Sequence, residues 1–244
     1  MEQDTQRIIT IVNLLKKTYP QAKIVLKYGN PWELLVAVIL SAQCTDKMVN
    51  KVAEKLFAKY KTLDDYVTAD LAKFEQDIKS TGFYHNKAKN ILAAAMLIKE
   101  KFGGKIPKTM AEMCTIPGVA RKTANVVLGN AHGIVEGIAV DTHVFRLSQR
   151  LRLVNLDRIG GKKELFFKRL GLKGSPRPSL ESIVDYKKDA DPNKIEQELM
   201  KVIPKQDWFK MTYLLIDHGR AICKAQNPDC NHCVLNTICP VSRN

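Results

Sequence analysis

The sequence predicts an all-α protein. Apolar residues return at helical spacing in one segment after another, and these segments are bounded by proline, glycine and small polar residues. Nothing along the 244 residues alternates as a paired strand does, and no internal repeat appears.

Taken in order, Arg7 to Lys17 puts Ile8, Ile11, Val12, Leu14 and Leu15 on one amphipathic helix, closed by Tyr19-Pro20. Asn30-Pro31 reads as an N-cap with proline at the first helical position. The helix it opens, through Trp32, Leu35, Val36, Ile39 and Leu40, is apolar nearly all round and should be central and buried. Ser41 to Asp46 ends it and caps the next helix, in which Val49, Val52, Leu56, Phe57 and Tyr60 keep helical spacing. Leu71, Phe74 and Ile78 mark a short helix ending near Thr81-Gly82, and Phe83-Tyr84-His85-Asn86 forms a turn before a helix from Ala88 to Phe102.

Thr109 and Glu112 have the spacing of a capping box. The helix they open stops at Ile116-Pro117-Gly118-Val119-Ala120, and Arg121 to Leu128 resumes helical periodicity, so the unit reads as helix, hairpin, helix. Gly118 can take a positive φ, and the second helix begins with N–H groups pointing out of the turn, an arrangement that binds phosphate without a cationic side chain. Gly129 to Gly137 reads as a loop leading to Asp141, the N-cap of a helix to about Leu153.

From Leu156 to Ala190 the composition changes, with Gly160-Gly161, Gly174-Ser175-Pro176-Arg177-Pro178 and a basic bias. An insertion over 156–190 is expected, partly helical at Glu164 to Leu170 with a flexible Pro/Ser segment behind it. A solvated extension is its default reading, beside an added DNA or protein contact. Asp191-Pro192 restarts a helix through Ile195, Leu199, Val202 and Ile203, halted by Pro204; Asp207 then caps a last helix that delivers the chain to Cys223.

Lys and Arg number 39 against 25 Asp and Glu, a net charge of +14 spread along the chain. A polyanionic partner follows, held more weakly as salt rises, although a basic surface also serves solubility alone. The longest apolar run, Leu34 to Leu40, is too short to span a bilayer, and the N-terminus carries acidic residues and no small-residue cleavage site, so an intracellular, membrane-free protein is expected.

Four of the six cysteines, Cys223, Cys230, Cys233 and Cys239, form C-x6-C-x2-C-x5-C. Four soft ligands in one short loop point to a metal centre, either zinc or an iron–sulfur cluster. Cys44 and Cys114 lie in apolar helical text and read as ordinary buried thiols. Lys122, just past the hairpin, is the candidate nucleophile: burial and nearby cations can lower a lysine pKa from about 10.4 toward roughly 7 to 8 and free its amine. Its alternative is a phosphate-binding lysine.

The hairpin, together with LSAQCTD at Leu40 to Asp46 and VDTHVFR at Val140 to Arg146, resembles the helix-hairpin-helix DNA glycosylases, and within them the endonuclease III family, over most of the chain. That resemblance implies a two-lobed all-α fold: a helical barrel over 23–132, and a second lobe from 1–22 plus 133–244 that carries the cysteine loop at 223–239. The active site would be the cleft between the lobes, with Lys122 and Asp141 on opposite sides. It implies a bifunctional DNA glycosylase/AP lyase acting as a monomer on duplex DNA with oxidised pyrimidines, such as thymine glycol, or abasic sites, in the cytoplasm or at the nucleoid. Lys122 would attack C1′ and form the Schiff base, Asp141 would accept the amine proton and stabilise the sugar cation, and the four cysteines would hold a [4Fe-4S] cluster in preference to zinc. DNA contacts would come from Gly118, Ala120, Arg121 and Thr123 of the hairpin. Gln43 would fill the space of the extruded base, where the alternative is a helix-end amide serving the backbone. Phe83 would act as the wedge, where the alternative is plain packing. Arg220 and Lys224 would meet phosphates beside the cluster, and His143 reads as structural.

Two departures from the family stand out. Ala120 replaces the hairpin's second glycine, which should weaken phosphate binding, and the 156–190 stretch is much longer than the family's connection. The competing readings are a monofunctional mismatch glycosylase, a non-enzymatic helix-hairpin-helix DNA-binding protein and a zinc-bearing RNA-binding protein. Lys122 with Asp141, and a chain ending just past the cysteines, point away from the first two; the third lacks an aromatic stacking platform.

Overall fold

The computed structural model describes residues 2–169 and 181–242. In chain order its elements are α1 (Glu2–Thr18), α2 (Pro31–Leu40), α3 (Asp46–Lys59), α4 (Leu63–Val67), α5 (Leu71–Ile78), α6 (Tyr84–Phe102), α7 (Met110–Met113), α8 (Arg121–His132), α9 (Thr142–Arg150), β1 (Glu164–Arg169), β2 (Glu181–Lys187), α10 (Pro192–Val202) and α11 (Trp208–Ala221). The chain divides into two compact units, Ile24–Glu136 and Met1–Lys23 with Gly137–Asn244.

The Ile24–Glu136 unit is built around α2. Asn30 accepts the Glu33 N–H at 2.9 Å and Pro31 holds the first helical position, so the helix starts where its sequence sets it. Leu34 to Leu40 are all buried, with α8 packed on one side and α6 on another. Each such leucine or isoleucine contributes about 1.5–3 kcal/mol by leaving water. Trp32, Tyr60, Tyr66 and Phe74 meet as an aromatic group at the end of this core. The short α4, unread in the sequence, is held by a full capping box: Thr62 accepts the Asp65 N–H at 3.3 Å and Asp65 accepts the Thr62 N–H at 2.8 Å. At Thr109 the box closes through side chains instead, the hydroxyl donating to the Glu112 carboxylate at 2.7 Å. Helix α8 runs on through Gly129 to His132, beyond the loop boundary expected at Gly129, and stops where Gly133 turns left-handed at φ 67°.

In the other unit, α1 lays Ile8, Ile11, Val12 and Leu15 against α11, and α9 packs on α11 and α10. Asp207 does not cap α11 as expected; its buried carboxylate pairs with Lys16 of α1, and that charge partner outweighs a cap. The segment expected to be helical from Glu164 is a strand. β1 and β2 form an antiparallel pair with a bulge between Leu165 and Phe166, which also corrects the expectation that no strands pair. Leu165 opposite Tyr186 and Phe166 opposite Val184 suit a pleated surface. Its period was hidden because the residues β2 buries on one face, Asp185 and Lys187, are charged. The Gly174–Pro178 segment lies outside the described residues. No described helix is long and apolar enough to cross a membrane.

Candidate active site and thiol cluster

The hairpin is a four-residue turn in which the Val119 N–H donates to the Ile116 carbonyl at 3.0 Å. Proline at the second position and a glycine at φ 78° in the third make the type II pattern. A side chain on Gly118 would also stand 2.9 Å from the Asn90 Cβ of α6, so both its conformation and its space require glycine. Ala120, by contrast, is extended at φ −91°, which any residue adopts; its methyl does not restrict the turn as expected. Ala120 is the N-cap of α8 and offers no side-chain acceptor, so Arg121, Lys122 and Thr123 open the helix uncapped by any side chain. The first amide bonded back into the helix is that of Ala124, which donates to the Ala120 carbonyl at 3.0 Å. Lys122 is half-buried, less enclosed than its sequence setting implied.

Gln43 and Phe83 share a backbone signature. Both are non-glycine residues in the left-handed region, at φ 52° and 51°, and both are exposed, Phe83 to 63%. Each costs about 1 kcal/mol or more of backbone strain, a cost that clusters at functional sites. Exposure to that extent also sets Phe83 apart from a core-packing residue.

Asp141 belongs to the other unit and is the N-cap of α9, where Oδ1 accepts the N–H groups of His143 at 2.9 Å and Val144 at 2.8 Å. That leaves Oδ2 outside the cap. His143 packs where α9 meets α11, so close that a side chain on Gly219 would lie 2.6 Å from its Nδ1, a structural position.

Helix α9 also carries two buried arginines one turn apart. Arg146 donates to the Cys223 carbonyl at 2.9 Å. Arg150 forms a bidentate pair with Asp185 of β2, at 2.8 and 2.6 Å, and donates to the carbonyls of Lys224 and Ala225 and to the Cys223 sulfur at 3.6 Å. Gln149 pairs its side-chain amide with the Lys187 backbone, accepting its N–H at 2.8 Å and donating to its carbonyl at 3.3 Å, and so covers an edge of the hairpin.

Cys223, Cys230, Cys233 and Cys239 line one cavity, with Arg150 and His218 in its wall. The cavity is partly open to solvent. Among the described residues no three His, Cys, Asp or Glu side chains stand close enough to hold a single metal ion. Four soft donors lining one cavity, with no three grouped to hold a single ion, suit a multi-atom cluster. Burial pushes the Cys239 thiol up to about 11 and also raises Cys233, so a bound group must displace protons. His218 is buried and its pKa is pushed down to about 4, which keeps it neutral; Tyr19 lies 3.1 Å from its Nδ1 and the Cys233 sulfur 3.5 Å from its Nε2. The remaining two thiols depart from expectation, Cys114 being exposed at the end of α7 and Cys44 half-buried, because a one-turn helix and a surface turn bury little.

Residues 36–170 match the HhH-GPD superfamily of base excision DNA repair proteins. The chain is 45% identical over 240 residues to the endonuclease III of Synechocystis sp. (strain ATCC 27184 / PCC 6803 / Kazusa), covering 98% of this chain and 94% of that relative. The chain belongs to the endonuclease III family. Endonuclease III of Escherichia coli (strain K12) is 32% identical over 231 residues, covering 95% and 93% of the two chains. A solved structure of a trapped endonuclease III–DNA covalent intermediate, an estranged-adenine complex, matches with a TM-score of 0.80 at 39% identity over 97% of this chain and 95% of that one. A thermostable thymine-DNA glycosylase, 18% identical with a TM-score of 0.73 over 96% of each chain, shares the fold. Within an endonuclease III fold, the motifs legible in sequence were the hairpin, the thiols and the residues flanking them. Arg150, Asp185 and His218 were missed. The one available signal was a pair of arginines spaced i, i+4 within the apolar stripe of α9.

Proposed function

We propose that this chain is a base excision DNA glycosylase/AP lyase for oxidised pyrimidines, with thymine glycol as the type substrate, and that Lys122 is its nucleophile. The observation that carries the reading is the start of α8: an uncapped helix N-terminus behind a Pro-Gly turn, with a half-buried lysine at its second residue, in a chain of this family. The amides of Lys122 and Thr123, with Gly118, Ala120 and the Arg121 side chain around them, hold a phosphate of the damaged strand. A solved endonuclease III structure holds a trapped covalent intermediate with DNA, which supports reading Lys122 as a nucleophile here.

The chemistry then follows from one amine. The damaged base leaves the stack, at least cost where it is poorly stacked, while Gln43 meets the orphaned partner base and Phe83 wedges the opened step. The Lys122 Nζ lone pair forms the bond to C1′ as the C1′–N bond breaks and the base departs with that electron pair. To Asp141, whose second carboxylate oxygen lies outside the α9 cap, we assign the role of base for the proton lost by the amine. Ring opening gives the Schiff base. Loss of a C2′ proton then expels the 3′ phosphate, and hydrolysis frees the lysine.

Cys223, Cys230, Cys233 and Cys239 hold a [4Fe-4S] cluster, which when bound supplies a rigid cross-link of the 223–239 loop. Arg220 and Lys224 present positive charge to DNA from the edge of that loop.

Borohydride trapping tests the assignment. Wild-type protein and Lys122→Gln are incubated with a thymine glycol duplex and with an abasic duplex, reduced, and assayed for a covalent protein–DNA band. Wild type is expected to trap on both and Lys122→Gln on neither, while still binding duplex. Cleavage of the abasic duplex alone would remove the lesion assignment. If wild type forms no adduct, Lys122 is not the nucleophile and a monofunctional or DNA-binding protein takes its place.

A further inference from the structure

Among the described residues only Lys87 and Lys187 are buried lysines, and Lys87 is 5% exposed on the inner face of α6. Its ammonium donates to two main-chain carbonyls from different places in the unit: Leu40, the last residue of α2, at 2.8 Å, and Thr81, at the end of a 3-10 turn, at 2.9 Å. Desolvation lowers its pKa, the expected consequence of holding an ammonium in the core. A buried charge of this kind is a poor way to gain stability, since transfer from water costs several kcal/mol before any partner is found. It does satisfy two carbonyls that end helical segments, where positive charge is favoured.

The two carbonyls have something else in common. Three residues beyond Leu40 stands Gln43, and two residues beyond Thr81 stands Phe83, both exposed non-glycine residues in the left-handed region. Each turn is closed by its own backbone bonds, Cys44 N–H to the Ser41 carbonyl at 3.2 Å and Gly82 N–H to the Lys79 carbonyl at 3.2 Å. Local geometry therefore shapes each turn but cannot set one against the other. Lys87 can, because both oxygens bond the same nitrogen, which limits how far apart they can lie.

We propose that Lys87 is a positioning residue for base extrusion: by joining the Leu40 and Thr81 carbonyls it fixes the spacing and direction of Gln43 and Phe83, so that both enter the duplex at one base step. The inference rests on the reading of Gln43 and Phe83 as DNA-inserting residues. A rigid pair of inserting side chains lowers the entropy cost of opening the stack, and a misplacement of about 1 Å can cost on the order of a hundredfold in rate.

The test uses full-length protein as Lys87→Met, Lys87→Arg, Gln43→Ala with Phe83→Ala, and the triple variant. Base extrusion is read by the fluorescence of 2-aminopurine placed beside thymine glycol in a duplex. Single-turnover excision and borohydride trapping on a preformed abasic duplex are followed in parallel, with thermal unfolding as control. Lys87→Met is expected to lower extrusion and excision by about tenfold or more. Trapping at the abasic site, which needs less unstacking, falls less, and Lys87→Arg, which keeps the donors, recovers most of the loss. Adding Lys87→Met to the Gln43→Ala, Phe83→Ala background is expected to change extrusion little further, because residues that act as one unit are not additive.

An equal loss in both backgrounds, or a loss that tracks thermal stability alone, would overturn the proposal. Wild-type extrusion in Lys87→Met with loss in the Gln43, Phe83 variant would also sink the role of Lys87 while leaving the inserting pair intact. Full extrusion by the Gln43, Phe83 variant would remove the reading beneath it. If Lys87→Met does not fold, Lys87→Gln, whose shorter amide cannot span both carbonyls, carries the same comparison.

Discussion

Ala120 has nothing to offer the amides behind it. A serine, threonine, asparagine or aspartate at a helix N-cap accepts the N–H of the second or third helical residue, here Lys122 or Thr123, and replacing such a cap by alanine costs about 1 kcal/mol. The α8 start therefore gives up stability and keeps those donors for another acceptor. Ala120→Ser is expected to raise unfolding stability by about 1 kcal/mol in urea titrations and to weaken duplex binding several-fold, because its hydroxyl competes with a phosphate for the same amides. Greater stability with unchanged affinity would mean that phosphate is held elsewhere. The residue-scale features were the most legible ones: Gly118 and the Asn30 cap could be named from neighbours within four positions. The mild conformation of Ala120 could not, because φ depends on how the turn meets α6.

At the scale of elements, the hairpin of β1 and β2 is joined to the thiol loop through a buried pair. Arg150, 2% exposed, has Asp185 on one side and the carbonyls of Lys224 and Ala225 on the other. Asp185→Ala would strand that guanidinium without its counter-charge, and breaking such a pair costs about 3–5 kcal/mol. Urea denaturation and iron content per chain are expected to fall together in this variant, whereas Asp185→Asn, which keeps an acceptor, should lose less. A wild-type midpoint for Asp185→Ala would show that β1 and β2 do not brace the loop. Periodicity found α2, α6 and α11 because their buried faces are apolar. It failed on β2, whose buried positions hold Asp185 and Lys187, matched to α9 rather than to a hydrophobic layer.

For the molecule as a whole, the governing quantity is the net charge of +14. Basic residues that neutralise phosphates release counterions, so duplex affinity should fall steeply with salt, by on the order of 10³ between about 50 and 200 mM if roughly six phosphates are contacted. Titrations of undamaged and thymine glycol duplexes across that range check this; a dissociation constant indifferent to salt would contradict a phosphate-led interface. The same titrations should give parallel slopes for both duplexes, because the lesion changes base contacts and not phosphate contacts.

The sequence by itself determined the helices with apolar faces, most of the caps and turns that bound them, and the four-thiol loop. All of these are written in spacings of a few residues, where chain geometry alone decides what meets what. Tertiary structure decided the fate of the buried polar groups: Lys87 on a carbonyl 47 positions away, Arg150 on a carboxylate 35 away, and His218 beside a tyrosine 199 away. A charged or polar side chain enters the interior only when a partner offsets its desolvation. That partner belongs to another element, so one strand of text cannot announce which lysine, arginine or histidine will be drawn inside.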